Sequence, residues 1–140
     1  MTTSRCDAPV IRIAAAVIVD ESGRILLVRK EGTEAFMLPG GKIAGAEEPV
    51  AALVREIEEE LGCGIAPAPR ALGRFSAAAA NEPGARVEAE LFAVALVGEA
   101  APAAEIAEMR WHDPDEAPTF PLAPLAQEHV LPMVRAWRTA

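Results

Sequence analysis

The chain has no tyrosine, two histidines, two cysteines and, among 140 residues, only two lysines, Lys30 and Lys42. Each shortage removes a class of chemistry. Cys6 and Cys63 lie far apart and form no Cys-x-x-Cys pair, which argues against a zinc ribbon or a thioredoxin-like redox centre and fits a reducing setting. Cations are scarce as well: 13 Lys and Arg stand against 21 Asp and Glu, a formal net charge of −8. That balance offers no general field to a phosphate backbone or an anionic membrane, so neither duplex nucleic acid nor a membrane is an expected partner. No run approaches the roughly eighteen apolar residues a membrane span requires. The first ten residues also lack the apolar core of a signal peptide, and the expectation is a cytoplasmic protein.

What remains is a composition of 51% hydrophobic and 24% charged residues, ordinary for a folded chain. Its length suits one domain spanning residues 1–140, with no repeat or linker to divide it. Residues 11–19 and 24–29 are apolar, partly β-branched runs around the turn-forming Asp20-Glu21-Ser22-Gly23, and they predict a β-hairpin. Phe36-Met37-Leu38 is a short apolar piece that Pro39-Gly40-Gly41 should stop, opening a loop. Residues 48–61 read as a helix with Pro49 in its first turn and Gly62 at its C-terminal cap. Strands are expected at 71–77, 86–97 and 106–112, then a helical pattern over 122–137 bent or broken by Pro132.

The chemistry concentrates on the first of these helices. Glu56, Glu59 and Glu60 stand at i, i+3 and i+4, so at about 100° per residue their side chains crowd one face. Val50, Val54, Ile57 and Leu61 form an apolar stripe expected to point away from that arc. Like charges so crowded repel one another unless a cation neutralises them. Hard ions such as Mg²⁺ accept several oxygen ligands and share their coordination with phosphates, so the pattern predicts phosphate chemistry. Most glutamate runs are nonetheless solvated faces, and the surroundings decide the matter.

Those surroundings are specific. Gly41, five free positions, Glu47, seven free positions, Arg55-Glu56-Ile57, one free position, Glu59-Glu60, one more, then Gly62-Cys63 form one pattern. It resembles the Nudix box, residues 41–63, at every specified position except the last, where Cys63 replaces the usual aliphatic residue. The resemblance implies an α/β fold, a Nudix-type α/β/α sandwich with a mixed β-sheet, and hydrolysis of a nucleoside diphosphate linked to a further group. It assigns Glu56, Glu59 and Glu60 as principal metal ligands for Mg²⁺, with Mn²⁺ as a substitute. The Gly41 carbonyl and Glu47 are implied as additional ligands, and Arg55 as the residue that orients the carboxylates. Glu56 or Glu60 would take a proton from the attacking water; Glu105, in the loop before a strand, is the other candidate base, as in some family members. Lys42 would donate to a phosphate oxygen.

Outside the box the residues are less telling. Phe36, Phe75, Phe92 and Trp111 are candidates for stacking on a base, though aromatic residues on strands more often fill a core. Arg29, Arg74, Arg86 and Arg110 are phosphate-clamp candidates more readily read as surface residues, Glu88 and Glu90 share one face of a strand, and His112 and His129 have no motif partners. The tyrosine linked to diadenosine polyphosphate hydrolases is absent, and the proline linked to ADP-ribose hydrolases would fall at Ala78. By elimination the resemblance points to a MutT-like pyrophosphohydrolase acting on a small-molecule (deoxy)nucleoside triphosphate or a damaged nucleotide. The alternatives are a hydrolase of nucleotide sugars or dinucleotides, a non-catalytic nucleotide-sensing domain, and an isomerase dependent on cysteine, for which Cys63 is poorly placed. Family members are often dimers, which leaves room for a homodimer.

Overall fold

The computed structural model describes residues 9–139, and Cys6 lies outside them. In chain order the elements are β1 (Val10–Val17), β2 (Ile25–Lys30), β3 (Gly40–Lys42), α1 (Pro49–Leu61), β4 (Gly64–Ile65), β5 (Arg70–Ala78), β6 (Arg86–Ala93), β7 (Leu96–Val97), β8 (Ile106–His112) and α2 (Leu131–Thr139). Successive side chains of a strand point to opposite faces, and β1 uses both. Ala14 and Ala16 join a cluster with Leu53, Ile57 and Leu61 of α1, whereas Ala15 and Val17 join another with Val130, Leu131 and Val134 around α2. Four strands form one sheet in the order β3-β1-β6-β5, with β1 and β6 parallel and the other pairs antiparallel. A mixed sheet with a helix on each side is the expected sandwich.

Several local expectations need correction. The turn at Asp20 forms as anticipated, its Oδ1 accepting the N–H groups of Ser22 and Arg24 at 2.9 Å each. The two runs around it pair antiparallel only next to the turn, through the Val19–Ile25 bridge with the Leu26 N–H on the Ile18 carbonyl and the Asp20 N–H on the Arg24 carbonyl at 2.9 Å each, and along its length β2 pairs instead with β8. The reason is that both edges of β1 are already taken, by β3 and β6. The loop expected at Pro39-Gly40-Gly41 is in fact β3. Gly40 lies at φ +147, a conformation reserved for glycine, and a Cβ there would stand 2.7 Å from the Ala15 Cα, so its missing side chain is what lets β3 close on β1. The expected strand over 86–97 ends at Ala93, after which the chain turns and Leu96–Val97 pairs with β4.

The C-terminal helical pattern is neither broken nor regular at Pro132. Residues 126–130 widen into a π-turn in which the Leu131 N–H reaches the Ala126 carbonyl, and α2 follows directly. In a regular helix the proline ring would meet the carbonyl four residues back, and the wider turn sits at that place. Along α1 the buried side is rotated from the expected stripe: Val50 and Val54 are exposed, while Ala52, Leu53, Ile57, Glu60 and Leu61 are buried. Gly62 caps the helix in the left-handed region at φ 69, its N–H on the Glu58 carbonyl.

Gly40→Ala should lower stability by at least about 1 kcal/mol in denaturant unfolding, because the native backbone cannot hold a Cβ there. Gly64→Ala, which adds a methyl group in open space, should change it by less than about 0.5 kcal/mol.

Candidate metal centre and adjoining cleft

The rotation of α1 puts a carboxylate inside the protein. Glu60 lies beside Leu53 on the buried face and is 3% exposed, its Oε1 accepting the Gly40 N–H at 3.1 Å. Burial pushes its carboxyl up to about 8, with the neighbouring Glu56 charge adding to the rise and the Gly40 bond opposing it. Glu56 lies against Gly41, where a Cβ would come within 2.5 Å of Oε1 and 2.8 Å of Oε2. Glycine at position 41 therefore makes the space that the Glu56 carboxylate fills.

Arg55 organises the outer part of the site. Its Nη1 donates to Glu56 at 2.7 Å, its Nε and Nη2 fork onto the two oxygens of Glu47 at 3.0 and 2.8 Å, and Nη2 also meets the Lys42 carbonyl at 3.1 Å. The Arg55 fork first, and then the Ala44 N–H that Glu47 Oε1 accepts at 3.0 Å, hold the Glu47 carboxyl down to about 2. The opposite wall comes from the segment before β8. Ala101 and Ala103 donate their N–H groups to the Leu61 and Glu60 carbonyls at 3.1 and 2.9 Å, filling acceptors that a helix end leaves open. Ala104 then adopts φ 52 and turns the chain so that Glu105 enters the cleft, 3.4 Å from Lys30 Nζ.

The cleft so formed has a volume of about 230 Å³ and is lined by Glu56, Glu59, Glu60, Glu105, Gly41, Ala104, Lys30 and Lys42. The i, i+3, i+4 spacing predicts that the three helix acids converge. Among the described residues, however, no group of three or more His, Cys, Asp or Glu side chains is gathered closely enough to hold a metal ion where the side chains now stand. Each acid follows its own surroundings: Glu56 is drawn to Arg55, Glu60 to Gly40, and Glu59 is exposed. The donor set still fits a hard divalent cation, since it is all oxygen, and such an ion would offset the burial that disfavours the ionised Glu60 carboxylate.

A second cleft, about 150 Å³, opens beside the first and is mostly apolar, with Ile11, Ile13, Val87, Leu125 and several alanines in its walls. Lys30, Gly41 and Lys42 line both clefts. Lys42 is exposed and 3.8 Å from Glu82. Lys30 was not singled out from the sequence, although its rarity as one of two lysines was a usable signal.

Most of the remaining candidates have structural partners. Phe36 packs edge-on against Phe120, Phe75 against His129, and Phe92 is in the α1-side core; neither they nor Trp111 line the apolar cleft. Arg29 meets Glu108, Arg86 meets Ser76, Arg12 and Arg74 flank Glu90, and Arg110 lies over Phe36 and Phe120. His129 contacts the Ser76 carbonyl and His112 is buried against Phe120. Cys63 is buried in the α1-side core, as its small apolar character suits, and lines neither cleft. Among the described residues no helix is long and apolar enough to cross a membrane.

The family model for the NUDIX domain matches residues 10–134. The chain belongs to this family. NUDIX proteins generally use divalent metal cations. An 8-oxo-dGTP diphosphatase of Haemophilus influenzae is 42% identical over 60 residues, 40% of this chain and 44% of that protein, so the match spans less than half the relative's length. A Bacillus subtilis (strain 168) protein provisionally given the same name is 32% identical over 109 residues, 76% of this chain and 69% of its own. Among solved structures, a MutT NUDIX hydrolase from Burkholderia pseudomallei superimposes with a TM-score of 0.71 at 27% identity, covering 89% of this chain and 95% of that one.

The buried Glu60 of this NUDIX domain makes a pH prediction. Unfolded, its carboxyl ionises near the ordinary 4.5; folded, near 8. Its contribution to stability is therefore fully present below about 4.5 and lost as pH rises towards 8, because the unfolded chain releases a proton that the folded one retains. In chelator-containing buffer the unfolding midpoint of the wild type should fall over that window relative to Glu60→Gln, and parallel profiles would contradict the assignment.

Proposed function

We propose that the protein hydrolyses the pyrophosphate linkage of a nucleoside triphosphate, a deoxynucleoside or oxidised nucleoside triphosphate foremost, with Mg²⁺, or Mn²⁺ in its place, held at α1. The observation that carries this reading is the wall shared by the two clefts. A polyphosphate needs cations at one end and a base needs an apolar recess at the other; here Lys30, Gly41 and Lys42 separate an acidic cleft from an apolar one. The name of the Haemophilus influenzae relative, which describes a nucleotide diphosphatase, agrees with it.

In this reading Glu56, Glu59 and Glu60, with the Gly41 carbonyl, hold the cation. Once bound, it neutralises phosphate charge and lowers the pKa of the attacking water. Arg55 fixes the Glu56 carboxylate, and Glu47 turns both oxygens to Arg55, which suits a positioning part better than direct ligation. Lys42 donates to a phosphate oxygen at the boundary. Glu105 is the cleft carboxylate that does not come from α1, and it accepts the proton of the attacking water, a task for which Glu56 and Glu60 are less free. All these groups come from one chain, so a homodimer would keep a complete cleft in each copy. The free thiol of Cys63 accords with a cytoplasmic setting.

Phosphate and pyrophosphate release from a panel of nucleoside triphosphates, oxidised nucleotides, nucleotide sugars and dinucleotides with Mg²⁺ tests the reading. Wild type should turn over at least one triphosphate, and Glu59→Gln should lose about a hundredfold or more in kcat/KM. Glu105→Gln should lose about a hundredfold in kcat while Mn²⁺ affinity is retained. A blank across the panel with measurable nucleotide binding would instead make the domain a sensor.

A further inference from the structure

The catalytic reading sets Lys30 beside the polyphosphate but gives no part to its ion pair with Glu105. At the end of β2 the pairing with β8 slips, from Arg29 opposite Glu108 to Lys30 opposite Ile106, so Ala107 is an extra residue on β8. Such a bulge bends the strand and re-aims a side chain. The Thr33 hydroxyl and N–H both return to the Lys30 carbonyl, at 2.8 and 3.1 Å, fixing the backbone there. From this anchored point the ammonium meets Glu105 at 3.4 Å, in the cleft that Glu60 also lines.

The charges around it are unequal. Glu56, Glu59, Glu60 and Glu105 line the acidic cleft, and the Arg55 guanidinium is fully engaged by Glu47, Glu56 and the Lys42 carbonyl. Lys42, 70% exposed, leans towards Glu82 on the far side of the wall. Lys30 is thus, among the described residues, the lysine of the acidic cleft that is paired with one of its carboxylates, and it lines the apolar cleft as well. Its pair with Glu105 is solvated, the two side chains being 33% and 66% exposed, and solvated pairs are weak and readily exchanged. A lysine also suits exchange, being a compact charge on a flexible stem.

We propose that Lys30 is an exchangeable counter-ion: it neutralises Glu105 while the acidic cleft holds no metal, and moves to the polyphosphate once a divalent cation meets the charge of that cleft. The proposal rests on the hydrolase reading for its second half only. It makes the ammonium a competitor of the metal in the free protein and an ally of the nucleotide in the loaded one. Loss of the Lys30 charge must then move the two affinities in opposite directions, which a purely structural role would not do.

The experiment uses Lys30→Met and Lys30→Arg, with thermal unfolding to confirm that both fold. Isothermal titration of the nucleotide-free protein with Mn²⁺ at low ionic strength should show Lys30→Met binding about three- to tenfold tighter than wild type, a difference that added salt shrinks. At saturating Mn²⁺ the same variant should bind a methylene-bridged nucleoside triphosphate about tenfold more weakly. Lys30→Arg should match wild type in both. Unchanged or weaker Mn²⁺ binding by Lys30→Met would overturn the proposal. Tighter Mn²⁺ binding in a protein that takes no nucleotide would uphold the counter-ion role and overturn the transfer to phosphate, together with the hydrolase reading.

Discussion

The contact between the Glu60 carboxylate and the Gly40 N–H is the constraint around which the site is arranged. A carboxylate held out of water is costly unless hydrogen-bonded or paired with a cation. Here a helix and a strand come together on it: α1 presents Glu60 among Leu53 and Ile57, and β3 offers the N–H of a glycine. The strand can come so near because positions 40 and 41 carry no Cβ, one against β1 and the other against Glu56. The glycines and glutamates of the box are thus two halves of a single packing solution.

This arrangement also separates the molecule's two surfaces of chemistry. β3 is an edge strand, with the acidic cleft on its α1 side and the apolar cleft reaching towards the residues before α2. Its last residue, Lys42, and the last residue of β2, Lys30, stand at the boundary. The alanines that dominate the apolar cleft, Ala15, Ala78, Ala79, Ala80, Ala123 and Ala126, leave room where larger side chains would fill it. The alanine richness of the chain therefore shapes a recess as well as a core.

Sequence patterns revealed some of this and concealed the rest for identifiable reasons. The limits of α1, its Gly62 cap, the turn at Asp20 and the strand over 106–112 depend on local chemistry and were readable. The partner of β2 was not, because pairing depends on which edges other strands occupy. Nor was the burial of Glu60: periodicity treats glutamate as polar and favours a stripe through Val50 and Val54, and nothing local marks a glutamate that the fold buries. The π-turn before Pro132 and the role of Gly40 in β3 arise likewise from contacts distant in sequence. The box residues were legible as a set, whereas Lys30 emerged only when β2 and the segment before β8 were brought together.

Anomalous diffraction from crystals soaked with Mn²⁺ and a methylene-bridged nucleoside triphosphate would test the central claim most directly. The account predicts a manganese peak within about 2.5 Å of carboxylate oxygens of Glu56, Glu59 or Glu60, with the triphosphate running past Lys30 and Lys42 and the base in the apolar cleft. A peak away from α1, or a nucleotide bound with its phosphates outside the acidic cleft, would contradict it.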